Sequence, residues 1–160
     1  MSDVLVRPIG DGDWGAIAEL ERSAYAGLGL AEEGVDALRS RAVSPETCFV
    51  VECGGVAGYV LALPYPFGRF PDLYVLEDGV FQSSNLHLHD LVVAEDRRGR
   101  GLARALLHRL AAASGSYDRV SLVSVAGSVP FWSANGYRPQ PGIAVPASYG
   151  PDALYMSKAL

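Results

Sequence analysis

Cysteine is scarce in this chain: Cys48 and Cys53 are the only two in 160 residues. If "CFVVEC" is a strand, the two point to opposite faces and cannot readily bridge. That excludes a disulfide-stapled scaffold and suits free thiols in a reducing compartment. Long apolar runs are also missing. The longest, "VAGYVLALP", is too short to cross a bilayer, and "MSDVLVRPIG" lacks the apolar segment of a secretory signal. Basic charge is in deficit, with 13 Lys and Arg against 18 Asp and Glu and a formal charge of −5. A general nucleic-acid binder neutralises phosphates with Lys and Arg, so that class is disfavoured. The expectation is a cytoplasmic protein with no membrane or nucleic-acid partner, folded as one domain over residues 1–160.

Periodicity along the chain supports an α/β reading. Residues 4–9 suit a short strand, and "DWGAIAELERSAYA" a helix with Ile17, Leu20 and Ala24 on one face. A second helix is expected around "AEEGVDALRSRAV", ended by Pro45. "TCFVVECGGVAGYVLAL" reads as a hairpin turning through Gly54-Gly55, a dipeptide suited to a primed two-residue turn. "PYPFGRFPDLYVLEDGVFQSS" is rich in proline and aromatics and reads as an irregular loop, either packed on the core or walling a pocket. Asp72, Glu77 and Asp78 within it would be solvated or would greet a cationic ligand. Residues 86–125 then spell strand, helix, strand, a crossover unit with parallel strands. Leu102, Leu106, Leu110 and Ala113 line one side of its helix. A short helix near "SVPFWSAN" and two strands, roughly 137–142 and 153–159, complete a mixed sheet with helices on both faces.

The densest chemistry lies in "NLHLHDLVVAEDRRGRGLARALL". Arg97, Arg98, Arg100 and Arg104 surround Gly99 and Gly101 where a strand has ended and a helix begins. A helix N-terminus offers unpaired N–H groups and positive potential, and glycines permit close approach to backbone, so the turn suits a phosphate or similar anion. It lacks the Gly-Lys-Ser/Thr of a Walker loop and the third glycine of G-x-G-x-x-G, since position 104 is Arg.

The segment "VVAEDRRGRGLARALL" resembles the R/Q-x-x-G-x-G/A turn of the GNAT superfamily of N-acetyltransferases, filled by Arg98, Gly101 and Ala103. The later "VPFWSANGY" resembles that superfamily's aromatic pair followed by Gly-Phe or Gly-Tyr. The resemblance implies a mostly antiparallel sheet with a central splayed parallel pair. It implies acetyl-CoA as co-substrate, its pyrophosphate held by the amides of Arg98, Gly99, Arg100, Gly101, Leu102, Ala103 and Arg104. The pantetheine arm would pair with Leu91, Val92 and Val93, while Phe131 and Trp132 would lie near the cofactor. No metal is implied, and a homodimer is allowed. "HLHDLVV", "VPFW" and "GYRP" are most similar to the arylalkylamine (serotonin-type) group, which implies His87 and His89 as a proton-relay pair and a small primary amine as acceptor.

Amine acylation demands such a base. An alkylammonium with a pKa near 10.4 must lose a proton to attack a thioester, at about 4.6 kcal/mol from pH 7, and histidine titrates nearest neutrality. His87 and His89, two apart on a strand, should share a face, with Asp90 on the opposite one. A main-chain N–H near Val92 or Val93 would polarise the thioester carbonyl. Where the superfamily commonly has a tyrosine as general acid, this chain has Trp132, whose indole N–H releases no proton at useful pH. Trp132 would then pack against the cofactor or belong to the core. Two other functions stay open: a protein N-terminal or lysine acetyltransferase, and a non-catalytic acyl-CoA-binding module.

Overall fold

The computed structural model describes residues 3–160. Seven strands form one mixed sheet: β1 (Leu5–Pro8), β2 (Cys48–Glu52), β3 (Val56–Pro64), β4 (Asn85–Val93), β5 (Arg119–Ser124), β6 (Arg138–Pro139) and β7 (Leu154–Ala159). Their spatial order is β1-β2-β3-β4-β5-β7-β6. Only β4 and β5 are parallel; the other neighbours run antiparallel. The helices are α1 (Trp14–Gly27), α2 (Val35–Arg41), α3 (Leu102–Ala113) and α4 (Val129–Ala134).

Strand alternation divides the core between two faces. Phe49, Val51, Val60, Ala62, Leu86 and Leu88 face α3, which buries Leu102, Leu106 and Leu110 against them. Cys48, Val50, Tyr59 and Leu61 face Trp14 and Ile17 of α1 and Leu38 of α2. Cys48 and Cys53 fall in opposite halves of the core and are free thiols, as the sequence led us to expect.

Four expectations need correction. The β2–β3 connection has three residues, because Glu52 pairs Val56 and the amide of Cys53 donates to the Gly55 carbonyl. Both glycines still supply the positive φ the turn needs, 67° and 100°. The second helix begins only at Val35, because Gly34 at φ 93° lies outside the helical region, and residues 31–34 have no regular secondary structure. The strand expected over 137–142 shrinks to Arg138–Pro139, where Pro139 and Pro141 withhold ladder donors. The fourth concerns Asp90.

The β3–β4 register shifts by one residue, from Leu61↔Asp90 to Ala62↔Leu88, leaving His89 as a bulge. The extra residue reverses the alternation. Leu88 faces α3, whereas Asp90 joins His87 and His89 on the α1 side, its carboxylate accepting from Tyr25 and Tyr59. At the same point β4 leaves β5. Their pairing ends at Leu88↔Leu122, and β4 continues to Val93 with that edge free.

Candidate active site

A cleft of about 1560 Å³ runs through this opening. One end is the turn after β4. Gly99 and Gly101 hold φ values of 80° and 77°, and a Cβ on either would point into open space. Among the described residues the amides of Gly99 through Arg104 have no hydrogen-bond partner, while that of Arg98 reaches the Glu95 carbonyl at 3.4 Å. Such a nest of N–H groups at the start of α3 fits a pyrophosphate. Arg98, Gly99, Gly101, Leu102, Ala103 and Arg104 line the cleft; Arg100 is exposed and does not. Arg97 is a correction to the reading of four anion-seeking arginines. It turns away and caps the carbonyls of Cys53 and Gly54 in the β2–β3 turn.

The middle of the cleft is lined by Leu91, Val92 and Val93 on the free edge of β4, with Phe131 and Trp132 across from it. Trp132 is 8% exposed and packs edge-on against Phe131 and Tyr137, at 4.9 and 5.4 Å between centroids. It belongs to the core and lines the cleft at once.

The far end contains buried ionisable groups that sequence reasoning passed over. His89 Nε2 lies 2.5 Å from Glu33 Oε2, and the His89 side chain is 2% exposed. Glu33 Oε1 accepts from Arg41 Nη2 at 2.8 Å. Burial alone would raise the Glu33 pKa, but His89 and Arg41 override it and bring it down to about 2. Arg41, wholly buried, also reaches Glu77 and the carbonyls of Asp72 and Val75. Glu77 is therefore neither solvated nor turned toward a ligand. On α1, Glu21 accepts the amides of Glu33 and Gly34 at 2.9 and 3.1 Å, and burial pushes its pKa up to about 7. Burial also raises Asp90, against the pull of His89 and the two tyrosine hydroxyls.

His87 sits differently. Its Nδ1 lies 2.9 Å from Ser121 Oγ, which already accepts from Asn85 Nδ2 at 2.8 Å and so has its own proton free to donate to the ring. The ring stacks on Tyr155 with centroids 6.3 Å apart. Complete burial, helped by repulsion from His89, pulls its pKa down to about 3, so His87 is neutral at physiological pH. The aromatic loop packs more than it lines. Tyr65 and Phe67 stack on Phe81 and Tyr155, Phe70 on Tyr149, and Leu73 is the loop residue that reaches the cleft. None of the helices among the described residues is long and apolar enough to cross a membrane.

Several solved structures share this fold. The chain has a TM-score of 0.70 and 24% identity to an acetyltransferase from Thermus thermophilus, covering 100% of both chains. It has a TM-score of 0.71 and 17% identity to the diaminobutyrate acetyltransferase EctA from Paenibacillus lautus, solved with L-2,4-diaminobutyric acid and coenzyme A, covering 99% of this chain and 96% of that one. For the ribosomal-protein-S18-alanine N-acetyltransferase from Escherichia coli the values are 0.71 and 15%, with 98% and 94% covered. No curated protein matches in sequence. The sequence pattern of the acetyltransferase (GNAT) family matches residues 14–137, and with the splayed β4–β5 pair and the amide-lined turn in place, the chain belongs to that family.

Proposed function

We propose that the protein transfers an acetyl group from acetyl-CoA to a small primary (aryl)alkylamine, with His89 as the base. The observation that carries this reading is the single cleft joining an anion-binding turn to an acidic, apolar-walled end, with His89 at the point where β4 and β5 part. At that end Leu28, Leu30, Leu73 and Tyr149 form walls beside Glu21, Glu33 and Asp90. An ammonium on an apolar body suits both features. The arginines lining the cleft, Arg98 and Arg104, belong to the turn, and Arg41 is committed to Glu33 and Glu77. A substrate carboxylate would have no cationic partner at the acceptor end, which favours a plain amine over an amino acid.

The unpartnered amides of residues 99–104 would hold the pyrophosphate, the free edge of Leu91–Val93 the pantetheine arm, and Trp132 with Phe131 the opposite wall. Proximity then supplies much of the rate. His89 accepts the ammonium proton, the freed nitrogen forms the C–N bond, and the N–H of Val93, which faces away from β3, hydrogen-bonds the carbonyl oxygen. The C–S bond breaks with its electron pair on sulfur. An alkyl thiol has a pKa near 8.5, so it can leave as thiolate and take its proton from water; Trp132 need donate none. The ammonium and amide nitrogens lose two protons in all, one ends on the thiol, and one is released. Two free, buried cysteines suit a cytoplasmic setting.

The test is mass detection of acetylated product from acetyl-CoA with a panel of arylalkylamines, alkylamines, amino acids and short peptides. Turnover confined to arylalkyl and alkyl amines is the expected result. Turnover on peptides alone would replace this reading with a protein acetyltransferase, and tight CoA binding without turnover on any class would replace it with a binding module.

A further inference from the structure

Arg41, the most deeply buried cation among the described residues, belongs to a network that the transfer reaction, as written above, leaves unused. Arg41 is wholly buried, and Glu33 and Glu77 have side chains only 9% and 12% exposed. The attraction within a buried ion pair seldom offsets its desolvation, so one that persists invites a reason other than stability. This network crosses three separate segments to reach one atom. The loop after β3 supplies Glu77 and two carbonyls, α2 supplies Arg41, and the segment before α2 supplies Glu33, which ends on His89 Nε2. Glu21 fixes the same segment from beneath by accepting the amides of Glu33 and Gly34.

Two further facts give the network a direction. Glu33 Oε2 faces the His89 ring while its Oε1 is held by Arg41, so the carboxylate is fixed in orientation from its far side. A carboxylate at Nε2 also makes that nitrogen the N–H donor, leaving the lone pair of neutral His89 on Nδ1. His89 Nδ1 is buried without any partner, and His89 lines the cleft. A buried ring nitrogen with no partner is destabilising unless something outside the protein completes it.

We propose that Glu33 is a positioning residue that, held by Arg41 and Glu77, locks His89 in the Nε2–H tautomer so that Nδ1 receives the substrate's ammonium proton. The inference rests on the acetyltransferase reading and adds to it a carboxylate–imidazole dyad supplied from outside β4. The proton moves from nitrogen to Nδ1, the imidazolium is stabilised across the Nε2–Glu33 contact, and it returns the proton to solvent after product leaves.

The test has two arms. In ¹⁵N-histidine-labelled wild-type protein the three imidazoles, His87, His89 and exposed His108, are assigned with His87→Gln and His108→Gln variants. At the alkaline end of a titration His89 should be protonated on Nε2 alone; an Nδ1–H tautomer or an even mixture overturns the proposal. In the second arm, phenethylamine and acetyl-CoA are the substrates. Glu33→Gln should lower kcat about 10- to 100-fold with the KM for acetyl-CoA unchanged, less than the roughly 10²- to 10⁴-fold cost of losing the base itself. Glu33→Asp should recover part of the loss. Unchanged kcat in a folded Glu33→Gln variant overturns the positioning role. If wild-type protein turns over none of the arylalkyl and alkyl amines of the panel above, the acceptor class fails on its own, and the tautomer arm still decides the dyad.

Discussion

His87 and His89 lie on one strand with ring centroids 6.5 Å apart, and they are held by opposite kinds of partner. His87 faces the hydroxyl of Ser121, whereas His89 faces the carboxylate of Glu33. A hydroxyl cannot balance a positive charge, so complete burial keeps the first ring neutral. Only the second ring faces a carboxylate. On the proposed reading the motif contains one base and one neutral neighbour.

Single variants should separate them. With phenethylamine and acetyl-CoA, His89→Ala should cost about 10²- to 10⁴-fold in kcat, the usual range for a lost general base. His87→Gln, which can still accept from Ser121, should cost about tenfold or less. Affinity for CoA, read by calorimetry, should be unchanged in both. Equal losses in the two variants would count against the assignment.

His87 also predicts a pH dependence of stability. Its folded pKa of about 3 lies below the unfolded value of 6.5. The unfolded state therefore takes up the proton first, and the stability it lends is present above pH 6.5 and is lost as pH falls toward 3. Between pH 6.5 and 5 the loss is about 2 kcal/mol. Glu21 opposes this. With its pKa raised from 4.5 to about 7, its contribution is present below pH 4.5 and disappears as pH rises to 7. Comparing wild-type protein with His87→Gln by urea unfolding at pH 7 and pH 5 cancels the Glu21 term. The variant should lose about 2 kcal/mol less than wild type over that interval, and parallel curves would contradict the neutral assignment.

The geometry of the proposed cofactor half was legible because it is local. Gly99, Gly101 and the start of α3 lie within one short stretch, and the anion site proposed for them follows from backbone geometry. The proton-handling half was not, because its members meet only in three dimensions: Glu33 and His89 are 56 residues apart. Two signals did exist. Glu21 follows Ile17 by one helical turn, and Arg41 follows Leu38 by three residues, so each charge falls on a stripe that should be apolar. A charge on a buried stripe flags a network without naming its partners. Asp90 was misplaced for a different reason. A bulge inverts every later side chain of a strand, and nothing in "HLHDLVV" announces that the extra residue is His89.

Gly58 tests how closely β3 must approach the cofactor-binding part of β4. A Cβ there would sit 2.8 Å from the Val92 carbonyl oxygen and 3.1 Å from Val51, with neither free to retreat far. Gly58→Ala should destabilise the fold by about 1–3 kcal/mol, as overpacking does, and raise the KM for acetyl-CoA by displacing Val92 and Val93. Gly15→Ala is the control of opposite sign. Gly15 is exposed on α1 with open space at its Cβ, and alanine there should stabilise by about 0.5 kcal/mol. Urea unfolding and CoA titration of the two variants check both.

The arginines around the glycine turn should divide by what each touches. Arg98 and Arg104 line the cleft, so alanine at either should weaken CoA binding, and the loss should shrink as salt rises because exposed charge is screened. Arg97 instead caps the carbonyls of Cys53 and Gly54 and joins the β2–β3 turn to the segment after β4. Arg97→Ala removes the donor to those carbonyls, of which that of Gly54 is open to water, and should cost about 1 kcal/mol of stability with little change in CoA affinity. Arg100 is exposed outside the cleft and should report neither effect. Calorimetric CoA titrations at low and moderate salt, paired with urea unfolding, read all four variants. If Arg97→Ala weakened CoA binding as much as Arg98→Ala, with the same salt dependence, the turn would have to bind its anion through the whole arginine cluster, and the backbone amides would lose their primacy.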